Sequence, residues 1–159
     1  MGETRVGLGF DVHPFSDDPG RQLRLGGVVF AGERGLAGHS DADVVAHAVA
    51  DALLGAAGLG DLGELFPDTD QRWRGADSIS LLAAAAAKVA EARWRVVNVD
   101  VSVVLEAPKL APRRSELEAN LSAAAGAPVT VKAKRAEGLG ALGRREGIAC
   151  WAVGLVERL

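Results

Sequence analysis

Strict alternation marks the first stretch of the chain. In TRVGLGFDVH, residues 4–13, Val6, Leu8, Phe10 and Val12 fall on one side and Arg5, Gly7, Gly9, Asp11 and His13 on the other. That is the period of a β-strand, so Asp11 and His13 share a face. RQLRLGGVVFAG, residues 21–32, reads as a hairpin turning at Gly26 and Gly27. Helical spacing follows: Val44, Val45, Ala48, Val49, Ala52 and Leu53 predict a buried helix from about Asp41 to the Gly55–Gly58 region. Ser40 is its expected N-cap, with Asp43 at the third position of a capping box. After the polar connector DTDQRWRGADS, a second helix is predicted over 78–93, capped by Asp77, with Leu81, Leu82, Ala85 and Val89 on its apolar side. VVNVDVSVVLEA, residues 96–107, sets Val97, Val99, Val101 and Val103 against Asn98, Asp100 and Ser102, a clear strand. A third helix over 113–125, an alternating strand in VTVKAKR and an apolar strand in IACWAVGLV complete the pattern. This order predicts an α+β two-layer sandwich, with helices on one face of a sheet and one domain over 1–159.

Composition narrows the function classes. At 159 residues, with 48% hydrophobic and 25% charged positions, the chain can bury a real core. A net charge of -3 without a basic run argues against general nucleic-acid affinity. The longest apolar block, LLAAAAA at 81–87, is far short of the roughly 20 residues that a membrane span needs, and no signal-like core is visible. The one cysteine, Cys150, lies in the apolar run IACWAVGLV, where a buried reduced thiol and a cytoplasmic home are expected.

Candidate chemistry gathers in residues 38–70. Asp43, His47 and Asp51 recur at i, i+4 and i+8 on the predicted helix, and a buried histidine there needs a partner. That partner is either Asp43 or Asp51 one turn away, or a metal ion. All three histidines fall within the first 47 residues. Asp11, His13 and His47 would form a metal set of two histidines and a carboxylate that leaves a coordination position open, although spacing alone fits scattered structural histidines as well. Iron(II) oxygenases use the same donor set. Gly138, Gly140 and Gly143 satisfy G-x-G-x-x-G, but a strand rather than a helix follows and only sixteen residues, 144–159, remain after the glycines, so a dinucleotide site is not expected. The stretch reads instead as a flexible turn whose amides can approach a phosphate, flanked by Lys132, Lys134, Arg135, Arg144 and Arg145.

GFDVHPF, GHSDADVVAHAVADALLGAAGLGDLGELFPDTD, GADS, NVDVSVV, APKL and GRREGIA together resemble the 2-C-methyl-D-erythritol 2,4-cyclodiphosphate synthase family, nearly end to end. The resemblance implies a homotrimeric phosphorus-oxygen lyase. It would convert 4-diphosphocytidyl-2-C-methyl-D-erythritol 2-phosphate into a cyclic diphosphate with release of CMP. It further implies zinc on Asp11, His13 and His47, and a second ion, magnesium or manganese, on Glu137. His39 and Ser40 would meet phosphate oxygens beside the helix N-terminus. Asp61, Leu62, Gly63 and Asp68 would form the methylerythritol pocket. Leu105, Pro108, Lys109 and Leu110 would form the cytosine wall, and Lys132, Ala133, Lys134 and Arg135 would border the diphosphate. His39, Asp61, Lys132, Arg135 and Glu137 would stand around the reacting groups. Phe10, Arg144 and Glu146 would line a trimer cavity able to hold an isoprenoid diphosphate, which leaves a non-catalytic trimeric binder as a different reading. Arg135 replaces the family's threonine; an arginine needs an anion at that site, so phosphate contact from a chain already turned into a loop is expected.

Overall fold

Six strands and five α-helices make up this computed structural model, which describes residues 2–159. The strands are β1 (Thr4–Pro14), β2 (Gln22–Leu25), β3 (Val28–Arg34), β4 (Trp94–Val104), β5 (Val129–Lys134) and β6 (Gly147–Arg158). The helices are α1 (Val44–Ala57), α2 (Leu62–Leu65), α3 (Ser78–Glu91), α4 (Arg114–Ala125) and α5 (Gly140–Gly143). β1, β6, β4 and β5 form one sheet in that order, while β2 and β3 pair as a separate hairpin. β6 runs antiparallel to both β1 and β4, and β5 runs parallel to β4. The C-terminal ends of β1, β4 and β5 therefore lie at the same end of the sheet. The mixed α+β architecture matches the expectation.

Helix α1 is the centre of the core, with Val44, Val45, Ala48, Val49, Ala52 and Leu53 all fully buried. It approaches β1 closely because β1 presents glycine to it. A Cβ on Gly7 would stand 2.0 Å from the Ala52 carbonyl oxygen, and one on Gly9 would stand 1.9 Å from that of Ala48. The apolar side of β1 is thus the outward one: Val6, Leu8, Phe10 and Val12 remain between 47% and 68% exposed. Strand alternation gave the two faces correctly, and the glycines decide which one is covered.

The start of α1 differs from the capping-box expectation. Ala42 has φ 57, which interrupts any helix before it. Asp43 is the N-cap, accepting from the backbone N–H of Val45 at 3.2 Å and of Ala46 at 3.1 Å. Its carboxylate also accepts from Gly26 N at 2.9 Å and Gly27 N at 2.7 Å, so the hairpin turn is clasped to the helix start. Burial pushes the Asp43 carboxyl upward, against those backbone donors. Ser40 instead accepts from Ala42 N at 3.2 Å. Asp77 caps α3 as expected, its side chain accepting from Ser80 N at 3.1 Å. A bulge between Val96 and Asn98 takes Val97 off the regular ladder, and Val99, Val101 and Val103 carry the buried face of β4.

Candidate metal centre and the surrounding pocket

Asp11 and His13 project from the glycine side of β1 toward His47, one turn into α1. Asp11 Oδ2 lies 2.9 Å from His47 Nδ1 and 3.0 Å from His13 Nε2, and the two ring nitrogens are 3.3 Å apart. One donor atom from each residue falls within 4.8 Å of the others, a set that could hold a divalent metal ion. Among the described residues this is the one group of three or more such ligands. Burial alone would raise the Asp11 carboxyl, but hydrogen bonds and positive charge from His13 and His47 hold it down at about 2. For His13, burial acts downward and the Asp11 hydrogen bond and charge prevail, so its pKa is raised.

Both remaining ring nitrogens are engaged. His13 Nδ1 lies 2.7 Å from the Ala37 carbonyl oxygen, and His47 Nε2 lies 2.8 Å from Ser78 Oγ and 3.1 Å from Ser40 Oγ. His47 therefore pairs with neither Asp43 nor Asp51. Asp43 precedes the helix and points at the hairpin, while the Asp51 carboxylate accepts the Leu62 N–H at 2.7 Å. Burial raises the Asp51 carboxyl, and the nearby charges of Asp61 and Asp11 add to the effect. The i, i+4, i+8 stripe drifts by about 40° per step on a helix of 3.6 residues per turn, so its members face different neighbours.

A cavity of about 590 Å³ opens over the three ligands. Its lining also includes the loop Gly38, His39 and Ser40, the helical residues Asp51, Leu62, Gly63 and Leu81, and the connector residues Phe66, Pro67, Asp68 and Trp73. Asp61 stands beside it as the N-cap of α2, accepting Glu64 N at 2.9 Å. The Phe66 and Trp73 rings meet edge to face at 4.9 Å. The start of α1 offers no free amide array for an anion, because Asp43 occupies it. Phe66, Trp73, Ser78 and Asp41 did not figure as candidates; Phe66 and Ser78 sit inside FPDTD and GADS, whereas nothing in the sequence marks Trp73.

The second group of candidates lies across the sheet. Asp11 is in register with Cys150, Cys150 with Val103, and Val103 with Ala133. Three strand spacings, about 14 Å, separate the ends of that row. A second row, Phe10, Trp151, Ser102 and Lys132, faces the opposite way. Side chains directly opposite in a ladder share a face, so Lys132 stands on the side of the sheet away from α1, where it pairs with Asp100. Lys134 ends β5, and its carbonyl accepts the Leu105 N–H at 3.0 Å. Leu105 and Leu110 are buried at 3% and 2%, so in this turn they offer backbone rather than side chain, while Pro108 is half-buried and Lys109 exposed.

Arg135 has left the strand, as expected, but its guanidinium lies 3.2 Å from the Glu106 carboxylate. That carboxylate also accepts the Ala136 N–H at 2.7 Å. Within the chain, then, a carboxylate already stands beside the guanidinium. Glu137 is exposed with φ 55 and lies outside the one group of candidate metal ligands among the described residues. Gly138 and Gly140 adopt φ 72 and 63, which makes the glycine run a tight turn. Phe10 packs on Trp151 at 5.0 Å between ring centres, and Arg144 pairs with Glu146 at 2.7 Å, both on exposed surface.

The chain is similar along its whole length to known proteins. The 2-C-methyl-D-erythritol 2,4-cyclodiphosphate synthase of Rubrobacter xylanophilus is 56% identical over 162 residues, covering 99% of this chain and 98% of that protein. The bifunctional enzyme IspD/IspF of Anaeromyxobacter dehalogenans is also 56% identical, but this chain spans only 40% of its length. Among solved structures, the bifunctional IspDF of Campylobacter jejuni superposes with a TM-score of 0.94 at 40% identity, covering 100% of this chain and 43% of that one. The CDP complex of Plasmodium falciparum IspF gives a TM-score of 0.84 at 30% identity, covering 99% and 98% of the two chains. No helix among the described residues is long and apolar enough to cross a membrane. The model of the YgbB family matches residues 4–157, nearly every residue from β1 to the end of β6, and the chain belongs to that family.

Proposed function

We propose that this chain catalyses the cyclisation of 4-diphosphocytidyl-2-C-methyl-D-erythritol 2-phosphate to 2-C-methyl-D-erythritol 2,4-cyclodiphosphate, as a phosphorus-oxygen lyase of the non-mevalonate isoprenoid pathway. The observation that carries the reading is the convergence of Asp11, His13 and His47 on a cavity also lined by Ser40 and Asp68. Those residues fit zinc: two imidazoles and one carboxylate from rigid elements, half-buried, with room for a substrate oxygen. Zinc held there would neutralise phosphate oxygens and keep the reacting groups together.

In the reaction an oxygen of the 2-phosphate bonds to the β-phosphorus, the bond from that phosphorus to the oxygen bridging it to the α-phosphorus breaks, and CMP leaves with that oxygen. No side-chain nucleophile is required, and catalysis rests on positioning and charge. His39 and Ser40, which line the cavity, would donate to phosphate oxygens. Asp61 and Asp68, with Gly63 between the helix cap and the wall, accept from the hydroxyls of the methylerythritol moiety. The APKL turn takes cytosine through backbone groups of Leu105, Pro108, Lys109 and Leu110, and Ala133, Lys134 and Arg135 border the diphosphate. Glu137 would hold the second ion, magnesium or manganese.

Lys132 supports a homotrimer with composite sites. It projects from the face of the sheet opposite the metal ligands, so the lysine that meets a given substrate belongs to a neighbouring copy. The outward apolar surface of Val6, Leu8, Phe10, Val12, Trp151 and Val153 is the natural trimer core. Phe10, Arg144 and Glu146 would border the central cavity there and admit an isoprenoid diphosphate. A cytoplasmic location agrees with the single buried thiol of Cys150.

Phosphorus NMR of the substrate incubated with zinc-loaded protein tests the activity. The expected result is loss of its three resonances, with growth of CMP and of two coupled cyclic-diphosphate signals. Unchanged substrate with a fully loaded, folded protein would favour the binder over the enzyme. Sedimentation equilibrium is expected to give the mass of three chains.

A further inference from the structure

We propose that Ser78 and Asp41 are positioning residues that fix the tautomer of His47, and thereby set how tightly the chain holds its divalent ion. The proposal rests on the metal-site reading above. A neutral imidazole carries one N–H and one lone pair, and only the lone pair can bind a metal. His47 turns Nδ1 toward Asp11 and His13, so ligation requires the proton to sit on Nε2 and to find an acceptor there.

Two hydroxyls compete for that position. Ser78 Oγ is the nearer, at 2.8 Å, and Ser40 Oγ stands at 3.1 Å. Their proton economies differ. Ser78 Oγ donates its own proton to the Asp41 carboxylate, whose other oxygen accepts the Ser78 backbone N–H at 3.1 Å. With that proton committed, Ser78 can only accept from His47, and at 1% exposure no water replaces it. Ser40 has no such carboxylate. Were its hydroxyl to donate to Nε2, the His47 proton would move to Nδ1 and close the metal position.

Asp41 is itself fixed. Its backbone N–H donates to the Ala76 carbonyl at 3.1 Å, and its Oδ1 accepts the Asp43 N–H at 3.2 Å. The relay therefore joins the loop before α1, the first turn of α3 and the ligand itself. His13 is set the opposite way by simpler means, its Nδ1 donating to the Ala37 carbonyl at 2.7 Å and leaving Nε2 free. The two ligands thus present different nitrogens to one point, and a charged acceptor backs only one of them.

Competitive titration of metal-free protein with zinc against a chromogenic chelator tests this, with His47→Ala as the reference for a lost ligand. Partners behind a ligating histidine are typically worth about 10- to 100-fold in metal affinity. Ser78→Ala and Asp41→Asn are expected to retain one zinc per chain with affinity lowered by about that factor, and Ser78→Thr, which keeps the hydroxyl, is expected to recover most of it. Metal-free melting curves show whether each variant is folded; Asp41 and Asp77 still cap α3 when Ser78 loses its hydroxyl. Cobalt(II) in place of zinc gives a second readout, and its visible bands are expected to shift in Ser78→Ala and return in Ser78→Thr. Wild-type affinity in folded Ser78→Ala, or equal losses in Ser78→Ala and Ser78→Thr, would overturn the proposal. A larger loss in Ser40→Ala than in Ser78→Ala would do the same by assigning the proton to the other hydroxyl. A different result, wild-type protein and His47→Ala binding zinc equally, would reject the metal site itself.

Discussion

Replacing Gly9 by alanine tests whether the close approach of α1 to β1 builds the metal centre. An added Cβ would stand 1.9 Å from the Ala48 carbonyl oxygen and 2.7 Å from the Ala52 amide nitrogen, where ordinary contact begins near 3.4 Å. Both neighbours are backbone, so strand and helix must separate by about 1.5 Å at this point. His47 immediately precedes Ala48. Transmitted in full, the displacement opens the 2.9 Å between His47 Nδ1 and Asp11 Oδ2 to about 4.4 Å. Two donors each about 2.1 Å from one zinc ion cannot be more than about 4.2 Å apart, so the set would no longer close on a single ion. Overpacking against backbone costs about 3 kcal/mol, which at a urea dependence of about 2 kcal/mol per molar lowers the unfolding midpoint by about 1.5 M. Urea unfolding of metal-free protein and zinc per folded chain are the two measurements. Gly55→Ala is the contrast, since its Cβ meets nothing within 4 Å and a helical alanine is expected to add about 0.5–1 kcal/mol. A Gly9→Ala protein with wild-type midpoint and zinc affinity would refute the reasoning.

His47→Ala is expected to lose zinc from the purified, folded protein, because Asp11 and His13 alone hold it too weakly; elemental analysis showing one zinc per chain would contradict the ligand set. In metal-free protein, stability from the depressed Asp11 is present above the usual carboxylate range and is lost as pH falls toward about 2. Stability from the raised His13 is present below the usual imidazole value and is lost as pH rises through its folded value. Metal-free chemical denaturation is therefore expected to show maximal contribution from this pair between about pH 4 and 6.5, and a flat profile across that range and beyond would contradict it. Arg135→Ala is expected to lower turnover strongly and Arg135→Thr to recover part of it, both with zinc content unchanged; full activity in Arg135→Ala would make the residue a mere partner of Glu106.

Periodicity carried most of the fold, because β1, β4, β5 and β6 alternate or run apolar and α1 and α3 repeat at helical spacing. What it missed were effects of contact between distant segments. The helix start slipped from Ser40 to Asp43 because the hairpin amides of Gly26 and Gly27 recruit the aspartate. The facing of β1 depended on glycines that matter only once a helix lies against them. At the site, Asp11 and His13 were legible as sharing a strand face, but their meeting with His47 is tertiary and emerged from no local pattern. Ser78 behind His47 was hidden for the same reason, 31 residues away in sequence. Arg135 was expected to need an anion, and the partner that this chain places beside it, Glu106, is 29 residues away in sequence and marked by no local pattern.

The position of β6 between β1 and β4 has a consequence for synthesis. Among the described residues β1 has no sheet partner other than β6, although some 130 residues separate them. During translation Val6, Leu8, Phe10 and Val12 are made well before β6, and their strand stays unladdered until residues 147–158 leave the ribosome. Pairing across so long a loop is slow compared with local helix formation. The helices α1, α3 and α4 can therefore gather before the sheet that they cover exists in full. For that interval the nascent chain exposes an apolar strand with free edges on both sides, the kind of segment that invites wrong pairing and chaperone capture.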